Sequence, residues 1–284
     1  MSDAAGIAVI KAIQSIANPF WDAVFVALSA MGTEEFFVVV IGFLFWNVDK
    51  RLGFRIGAVL LSSQALNSYL KDLFQTPRPS PKAVRVLMPE WAGGYAFPSG
   101  HAQGATTFWG FWALEIRRAW FFALAAVMVI LVSLSRLYLG VHFPVDLFGG
   151  FLIGVTVLIV AHKVLATTDQ GFAFDALSAK LVLALGLPFL FLLFSRSGEI
   201  VKLVGLLMGI SAGYALEEEY IRFEEKQPVG IQVFKTFVGL SGIFILRLAL
   251  KDLFPAAPFF DLARYLIVGL WATAGAPWIF ARLS

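Results

Sequence analysis

The sequence predicts an all-α fold: a polytopic transmembrane helical bundle of about nine spans with an N-terminal interfacial helix. Hydrophobic residues make up 59% of the 284 residues and charged residues only 14%, whereas a soluble domain is about one quarter charged. The mean hydropathy is +0.81. The apolar residues come in long runs rather than alternating, which favours membrane helices over a β-barrel.

Charge and cysteine content exclude several function classes. A net charge of +3 gives no reason to expect a nucleic-acid partner. The chain has no cysteine, which excludes disulfides, thiol catalysis and cysteine metal sites. The first twenty residues lack the basic region, apolar run and small-residue cleavage site of a signal peptide.

The N-terminal segment, residues 1–32, is predicted to lie in the membrane interface. Isoleucines recur every three residues with polar residues between them, as in an amphipathic helix; they are Ile7, Ile10, Ile13 and Ile16. A frayed terminus is the alternative. The apolar stretch 20–30 is shorter than the ~20 residues that a perpendicular span needs. It is therefore interpreted as interfacial or as part of a broken span.

The remaining chain divides into two predicted segments. Residues 33–166 form a core with the candidate site, and residues 167–284 form an extension of about four transmembrane helices. Thr33 is the expected N-cap of the first span, with Glu34 and Glu35 suiting its positive end. Spans are expected at 34–48, 53–74, 101–117, 119–138, 144–166, 177–195, 199–216, 231–250 and 261–281.

Positive residues predict the orientation of these spans. Lys and Arg occur in the tight turns near residues 50 and 117, and His162–Lys163 ends a span on the same side. By the positive-inside rule this side is cytoplasmic, so loop 75–100 and turn 139–143 face the opposite side. Loop 75–100 is also basic, which runs against the rule. Of its cations, Lys82 and Arg85 are interpreted as ordinary charges that reach toward lipid headgroups.

Three segments bring titratable and cationic residues to that non-cytoplasmic face. The segments are "KDLFQTPRP", "PSGH" and "SRLYLGVHFPVD". Their candidate site residues are Lys71, Arg78, Ser99, Gly100, His101, Ser135, Arg136, His142 and Asp146. A chance collection of two histidines, three cations, a serine and an aspartate on one face is improbable, because charged residues within a membrane protein are costly.

The residue types in these segments suit phosphoryl transfer. A helix that begins after Ser-Gly offers backbone N–H groups to an anion, and Pro144 fits the first turn of the next helix. His142 and Asp146 are four residues apart, so Asp146 can accept from one ring nitrogen and leave the other as a free lone pair. Three fixed cations can stabilise the charge on the phosphoryl oxygens.

The spacing of these residues resembles the three-part signature of the type 2 phosphatidic acid phosphatase superfamily. The pattern is Lys71-x6-Arg78-Pro79, then Pro98-Ser99-Gly100-His101, then Ser135-Arg136-x5-His142-x3-Asp146. That superfamily includes lipid phosphate phosphatases, glucose-6-phosphatase and vanadium haloperoxidases. The resemblance covers residues 71–146 in motif and about 20–166 in fold.

The resemblance implies a role for each residue. His142 would attack phosphorus and form a phosphohistidine, Asp146 would orient it, and His101 would protonate the leaving group. The non-bridging oxygens would be held by Lys71, Arg78, Ser99, the Gly100 N–H and Arg136. No cofactor or metal is expected, and the sequence shows no Asp/Glu/His cluster with metal-ligand spacing.

The function implied is metal-independent dephosphorylation of a membrane lipid phosphate or pyrophosphate at the membrane–water boundary. The protein would be an integral protein of a plasma or inner membrane, with its site on the non-cytoplasmic side. Two alternatives stay open. One is a lipid phosphotransferase that uses the same intermediate, and the other is a transporter or channel whose charged residues line a pathway.

The four predicted spans after residue 166 resemble the longer superfamily members, such as the sphingosine-phosphate phosphatase branch. They could shape a lipid groove, form a homodimer interface or bind another ligand. The acidic residues between them are interpreted as a solvated cytosolic loop; they are Glu217, Glu218, Glu219, Glu224 and Glu225.

Overall fold

The computed structural model describes residues 3–169, 176–195 and 197–282, and within these ranges the regular elements are helices without a strand. The helices are α1 (Asp3–Gln14), α2 (Pro19–Ala30), α3 (Glu34–Asn47), α4 (Lys50–Phe74), α5 (Gly100–Ile116), α6 (Ala119–Tyr138), α7 (Pro144–Asp169), α8 (Leu177–Phe189), α9 (Gly198–Leu216), α10 (Val229–Leu253), α11 (Pro258–Leu270) and α12 (Ala276–Phe280). The all-α prediction is confirmed, and every predicted span overlaps a helix. The predicted span 177–195 continues past the end of α8, and the predicted span 261–281 covers both α11 and α12.

Among the described residues, four helices are long and apolar enough to cross a membrane: α6, α7, α9 with its following turn, and α10. The pair α2 and α3 passes the same test together, with a bend of 53° at the break between them. This bend fits the interpretation of residues 20–30 as half of a broken span. The protein is therefore an integral membrane protein, and the count of about nine spans stays a prediction.

The helices form two compact units. The first contains Met1–Phe37 and Leu66–Lys163, and the second contains Val38–Ala65 and Val164–Ser284. The boundaries of these units differ from those of the three predicted segments. Residues 1–32 share a unit with the signature segments, and part of α3 and α4 belongs with the C-terminal extension. The helices at the N-terminus are thus part of the body that carries the candidate site.

Helix α1 packs onto the protein through its isoleucines. Ile10 is fully buried in a cluster with Val84, Leu137 and Leu147, and Ile7 and Ile13 pack against it. An apolar stripe at helical spacing predicts a helix with one buried face, and here that face is covered by protein. The frayed-terminus alternative is therefore wrong, and a position in the membrane interface stays a prediction.

The second unit has an aromatic core that encloses charged side chains. Trp46, Phe223 and Phe280 are among its buried residues. Glu217 is fully buried, and its Oε1 accepts from Lys50 Nζ at 2.8 Å and from the Phe223 N–H at 3.1 Å. The interpretation of Glu217 as a solvated loop residue is wrong, because a buried carboxylate needs such partners and the sequence does not reveal them.

Candidate active site

The three signature segments meet at one end of the first unit. Lys71 lies in the last turn of α4, His101 in the first turn of α5, Arg136 in the last turn of α6, and Asp146 in the first turn of α7. His142 lies in the short connection between α6 and α7. Because α5 and α7 begin where α4 and α6 end, their polar residues share one end of the helices.

His142 is buried and bonded through both ring nitrogens. Its Nδ1 is 3.3 Å from Asp146 Oδ2, and its Nε2 is 3.0 Å from Arg78 Nη1. A guanidinium can only donate, so Nε2 is the acceptor and we assign the proton to Nδ1, which donates to Asp146. The same carboxylate oxygen accepts from the Phe143 N–H at 2.8 Å. The lone pair needed for nucleophilic attack is therefore on Nε2, beside Arg78.

Arg78 and Arg136 are both tied to the loop before α5. Arg78 donates from Nε to the Gly94 carbonyl at 3.0 Å and from Nη2 to the Gly93 carbonyl at 2.8 Å. Arg136 is fully buried and donates from Nη2 to the Trp91 carbonyl at 2.8 Å. These carbonyls are hydrogen-bond acceptors for both buried cations. Trp91 itself packs beside Tyr138, Leu139 and Val141.

Two buried nitrogens in the site have no hydrogen-bond partner among the described residues. Within the part of the chain that the structure describes, neither His101 Nε2 nor Arg136 Nε has a hydrogen-bond partner, and both are buried. An unsatisfied buried polar atom is uncommon, and it suggests that a ligand or a water molecule binds there. An anion such as phosphate could accept from both groups when His101 carries a proton on Nε2.

The residues before His101 serve the start of α5. Ser99 is fully buried and is the N-cap, and its hydroxyl accepts from the Ala102 N–H at 3.4 Å. The Ser99 N–H donates to the Asp146 carbonyl at 2.9 Å, which joins the second and third signature segments. Ser135 donates to the Val132 carbonyl of its own helix at 2.6 Å and has a local structural role.

The neighbouring cations disfavour a positive charge on His142. Burial is the largest cause that lowers its pKa well below the ordinary value, and Arg78, Arg136 and Lys71 lower it further. Burial also lowers the pKa of Arg78 to about 10, against the opposing effect of Asp146. Arg78 is thus still cationic at neutral pH while His142 is neutral, which is the pairing that attack on a phosphate requires.

Several residues that position the site could not be recognised from the sequence. Asn67 donates to Gln103 at 2.8 Å in a buried contact between α4 and α5. Gln14 donates to the Arg85 and Tyr138 carbonyls at 2.6 and 2.8 Å. Arg85 pairs with Asp22, a partner that the sequence does not reveal, and its interpretation as a headgroup contact stays a prediction. Polar side chains of this kind carry no motif, because their partners are distant in sequence.

Gly140 lets the α6–α7 connection pass beneath the loop. Its φ is +72°, and a Cβ at this position would come within 2.1 Å of the Arg85 carbonyl oxygen. Only glycine combines this left-handed backbone with so close an approach. The glycine in "YLGVH" is therefore explained by the packing of this turn.

Two sequence families match the chain. The PAP2 superfamily matches residues 52–169, and the transmembrane extension of PAP2 superfamily phosphatases matches residues 201–284. The chain belongs to the PAP2 superfamily. The PAP2 match includes all three signature segments, and the extension match lies within the second compact unit.

Relatives of this PAP2 chain include phosphatases of different lipids. It is 31% identical over 153 residues to sphingosine-1-phosphate phosphatase 2 of Homo sapiens, and the aligned region covers 52% of this chain and 38% of the relative. It is 29% identical over 161 residues to phosphatidylglycerophosphatase B of Bacillus subtilis (strain 168), with coverage of 52% and 77%. The chain spans between 38 and 46% of the length of the first eukaryotic relatives.

Among solved structures, Aquifex aeolicus LpxE is similar, with 27% identity and a TM-score of 0.49 over 55% of this chain and 93% of that one.

Proposed function

We propose that this protein removes phosphate from a membrane lipid phosphate or pyrophosphate through a phosphohistidine on His142. The observation that carries the proposal is the geometry of His142, whose Nδ1 faces Asp146 and whose Nε2 faces Arg78. This arrangement orients a nucleophilic lone pair toward a fixed cation. The names of the relatives support a lipid phosphate as the substrate.

The reaction would proceed in two displacement steps. First, His142 Nε2 attacks phosphorus, a P–N bond forms, and the P–O bond to the lipid breaks while His101 gives its proton to the leaving oxygen. Second, water attacks phosphorus, its proton passes to His101, and the P–N bond breaks to release inorganic phosphate. Arg78, Arg136, Lys71 and the start of α5 would stabilise the phosphoryl oxygens in both steps.

An apolar groove beside the site supports a lipid substrate. The groove has a volume of about 600 Å³ and lies along α5, α6 and α7 of the first unit. Leu134 and Leu147 are among its lining residues, and they are neighbours in sequence of Ser135 and Asp146. An acyl chain in this groove would keep its apolar surface out of water while the phosphate reaches His142.

The location proposed for the site is the non-cytoplasmic face of a plasma or inner membrane. Arg117 and Arg118 join α5 to α6 at the helix ends opposite His101 and Arg136. By the positive-inside rule they are cytoplasmic, which puts His142 on the other side. We also propose that the C-terminal spans form a homodimer interface.

The test is a phosphate-release panel with purified protein in mixed micelles. The substrates are phosphatidic acid, phosphatidylglycerol phosphate, an isoprenyl pyrophosphate and a sphingoid phosphate, each with and without a lipid acceptor. We expect release of inorganic phosphate from at least one lipid and an acid-labile phosphoprotein that His142→Ala abolishes. Lys82→Ala is the matched control, since Lys82 is an exposed cation of the same loop.

Three results would count against the proposal. Transfer of phosphate to the acceptor without release would indicate a phosphotransferase. Lipid or ion movement that persists in a folded His142→Ala variant would favour a transporter. Equal activity of His142→Ala and Lys82→Ala would refute the assigned nucleophile.

A further inference from the structure

Helix α2 contacts the site with one face. It lies before α3 and before the start of the PAP2 match at residue 52. Asp22, Phe25 and Ser29 follow one another at successive turns, so their side chains share a face. Asp22 accepts from the Tyr138 hydroxyl at 2.6 Å, and Phe25 stacks on the Tyr138 ring at 4.1 Å between centroids. Ser29 completes this face one turn closer to the break before α3.

Ser29 accepts a hydrogen bond from Arg136. The distance from Arg136 Nη1 to Ser29 Oγ is 2.6 Å, and both residues are fully buried. The other terminal nitrogen, Nη2, donates to the Trp91 carbonyl. A guanidinium is planar and rigid, so two fixed terminal nitrogens determine the plane of the group. They also determine the direction of the Nε–H, which has no partner among the described residues.

We propose that Ser29 is a positioning residue that aims the Arg136 guanidinium at the transferring phosphoryl group. The proposal rests on the proposed function, because Arg136 matters only if the site binds phosphate. In this proposal Ser29 does not touch the lipid and acts through Arg136. The carbonyl of Trp91 alone would leave the guanidinium free to rotate about that bond, and the Ser29 hydroxyl removes this freedom.

The break after α2 supports a site contact by the same segment. A Cβ on Gly32 would come within 2.9 Å of His101 Cδ2, so the chain passes directly against the His101 ring. The segment that contains Ser29 and Gly32 therefore borders two residues with unsatisfied buried nitrogens. The PAP2 match begins at residue 52, so it assigns no role to this segment.

The experiment compares Ser29→Ala with Ser62→Ala as the matched control. Ser62 is also a helical serine, and its hydroxyl donates to the Ala58 carbonyl of its own helix at 2.8 Å. We expect Ser29→Ala to lower kcat/KM about 10- to 100-fold, as for loss of a hydrogen bond to a charged group, with most of the change in kcat. Ser62→Ala should stay within about twofold, since such helical back-bonds add little.

A double-mutant cycle separates aiming from general packing. In an Arg136→Lys background, Ser29→Ala should change kcat/KM by less than about threefold, because the group it aims is gone. The full loss in that background would overturn the proposal, since Ser29 would then act independently of Arg136. Ser29→Thr, which keeps the hydroxyl, should recover activity. Ser29→Cys has a similar volume but its thiol is a weak hydrogen-bond acceptor, so it should not recover activity. If Ser29→Ala fails to fold, Ser29→Cys replaces it in the comparison.

Orthovanadate binding gives a readout that does not require turnover. We expect it to raise the Tm of the wild-type protein and to bind Ser29→Ala about tenfold more weakly, in line with a lost charged hydrogen bond. Equal orthovanadate affinity and equal kcat in Ser29→Ala and wild type would overturn the role of Ser29 alone. If the wild-type protein neither releases phosphate nor binds orthovanadate, the proposed function fails and this inference fails with it.

Discussion

Asp146→Asn should reduce phosphate release strongly without unfolding the site. Asparagine keeps an oxygen that can accept from the Phe143 N–H, which Asp146 accepts at 2.8 Å. It removes the negative charge that lies 3.3 Å from His142 Nδ1. In the proposed mechanism His142 Nε2 bonds to phosphorus, its ring would gain positive charge, and the carboxylate would stabilise that charge through Nδ1–H.

The size of the effect follows from the distance. A full unit charge at 3.3 Å from the carboxylate would interact by about 5 kcal/mol at an effective dielectric constant of about 20. If about half of the charge has developed in the transition state, the loss is about 2–3 kcal/mol, or between about 30- and 150-fold in kcat. The Phe143 N–H and His142 Nδ1 share one carboxylate oxygen, so the asparagine oxygen is expected to face both, and the lost charge alone accounts for the effect.

The assay is steady-state release of phosphate together with the Tm of each variant. Glu90→Gln is the control, because it removes the same charge from an exposed position in the loop before α5. We expect its kcat to stay within about twofold of wild type, as surface charges are screened. A folded Asp146→Asn protein with a kcat within about threefold of wild type would refute the reasoning that Asp146 orients and stabilises His142.

Three further predictions concern pH, the α6–α7 turn and metals. Burial and the nearby cations lower the pKa of His142 well below its ordinary value of 6.5, so under the proposed function kcat/KM should fall only at pH values below the ordinary titration range of histidine; an acid limb with a midpoint at or above 6.5 would contradict this. Gly140→Ala should destabilise the protein by about 1–3 kcal/mol, measured as a lower Tm, whereas Gly93→Ala, with open space at its Cβ, should change it little. Activity should survive EDTA and be inhibited by orthovanadate, and strong loss in EDTA would contradict a metal-free site.

The helices could be predicted well because membrane helices carry a strong local signal. Each predicted span overlaps a helix, and most ends differ by a few residues, as at α10, which covers Val229–Leu253 against a predicted 231–250. A run of apolar residues is a local property, and it fixes a helix without knowledge of its neighbours. Whether each helix crosses the bilayer depends on its packing and tilt, which the run alone does not contain.

The candidate site could be predicted in its residues but only partly in its contacts. The signature spacing brought Lys71, Arg78, His101, Arg136 and His142 to one end of the first unit, where the structure also has them. The partners that hold them were not predictable. The contacts of Glu217 and Arg85 were not predictable either. Their ion-pair partners, Lys50 and Asp22, are far away in sequence and belong to no motif.

The partners of the two arginines explain why sequence reasoning stops at this point. Arg78 and Arg136 bind the carbonyls of Trp91, Gly93 and Gly94, and a backbone carbonyl is the same for every residue type. The loop can therefore vary in sequence and still supply hydrogen-bond acceptors to the buried cations. These contacts also have a functional consequence. Arg136 Nε has no partner among the described residues. Under the proposed function, phosphate would therefore accept from this atom while the Trp91 carbonyl keeps holding the guanidinium, so the cation would already be placed for the charge that develops in the transition state.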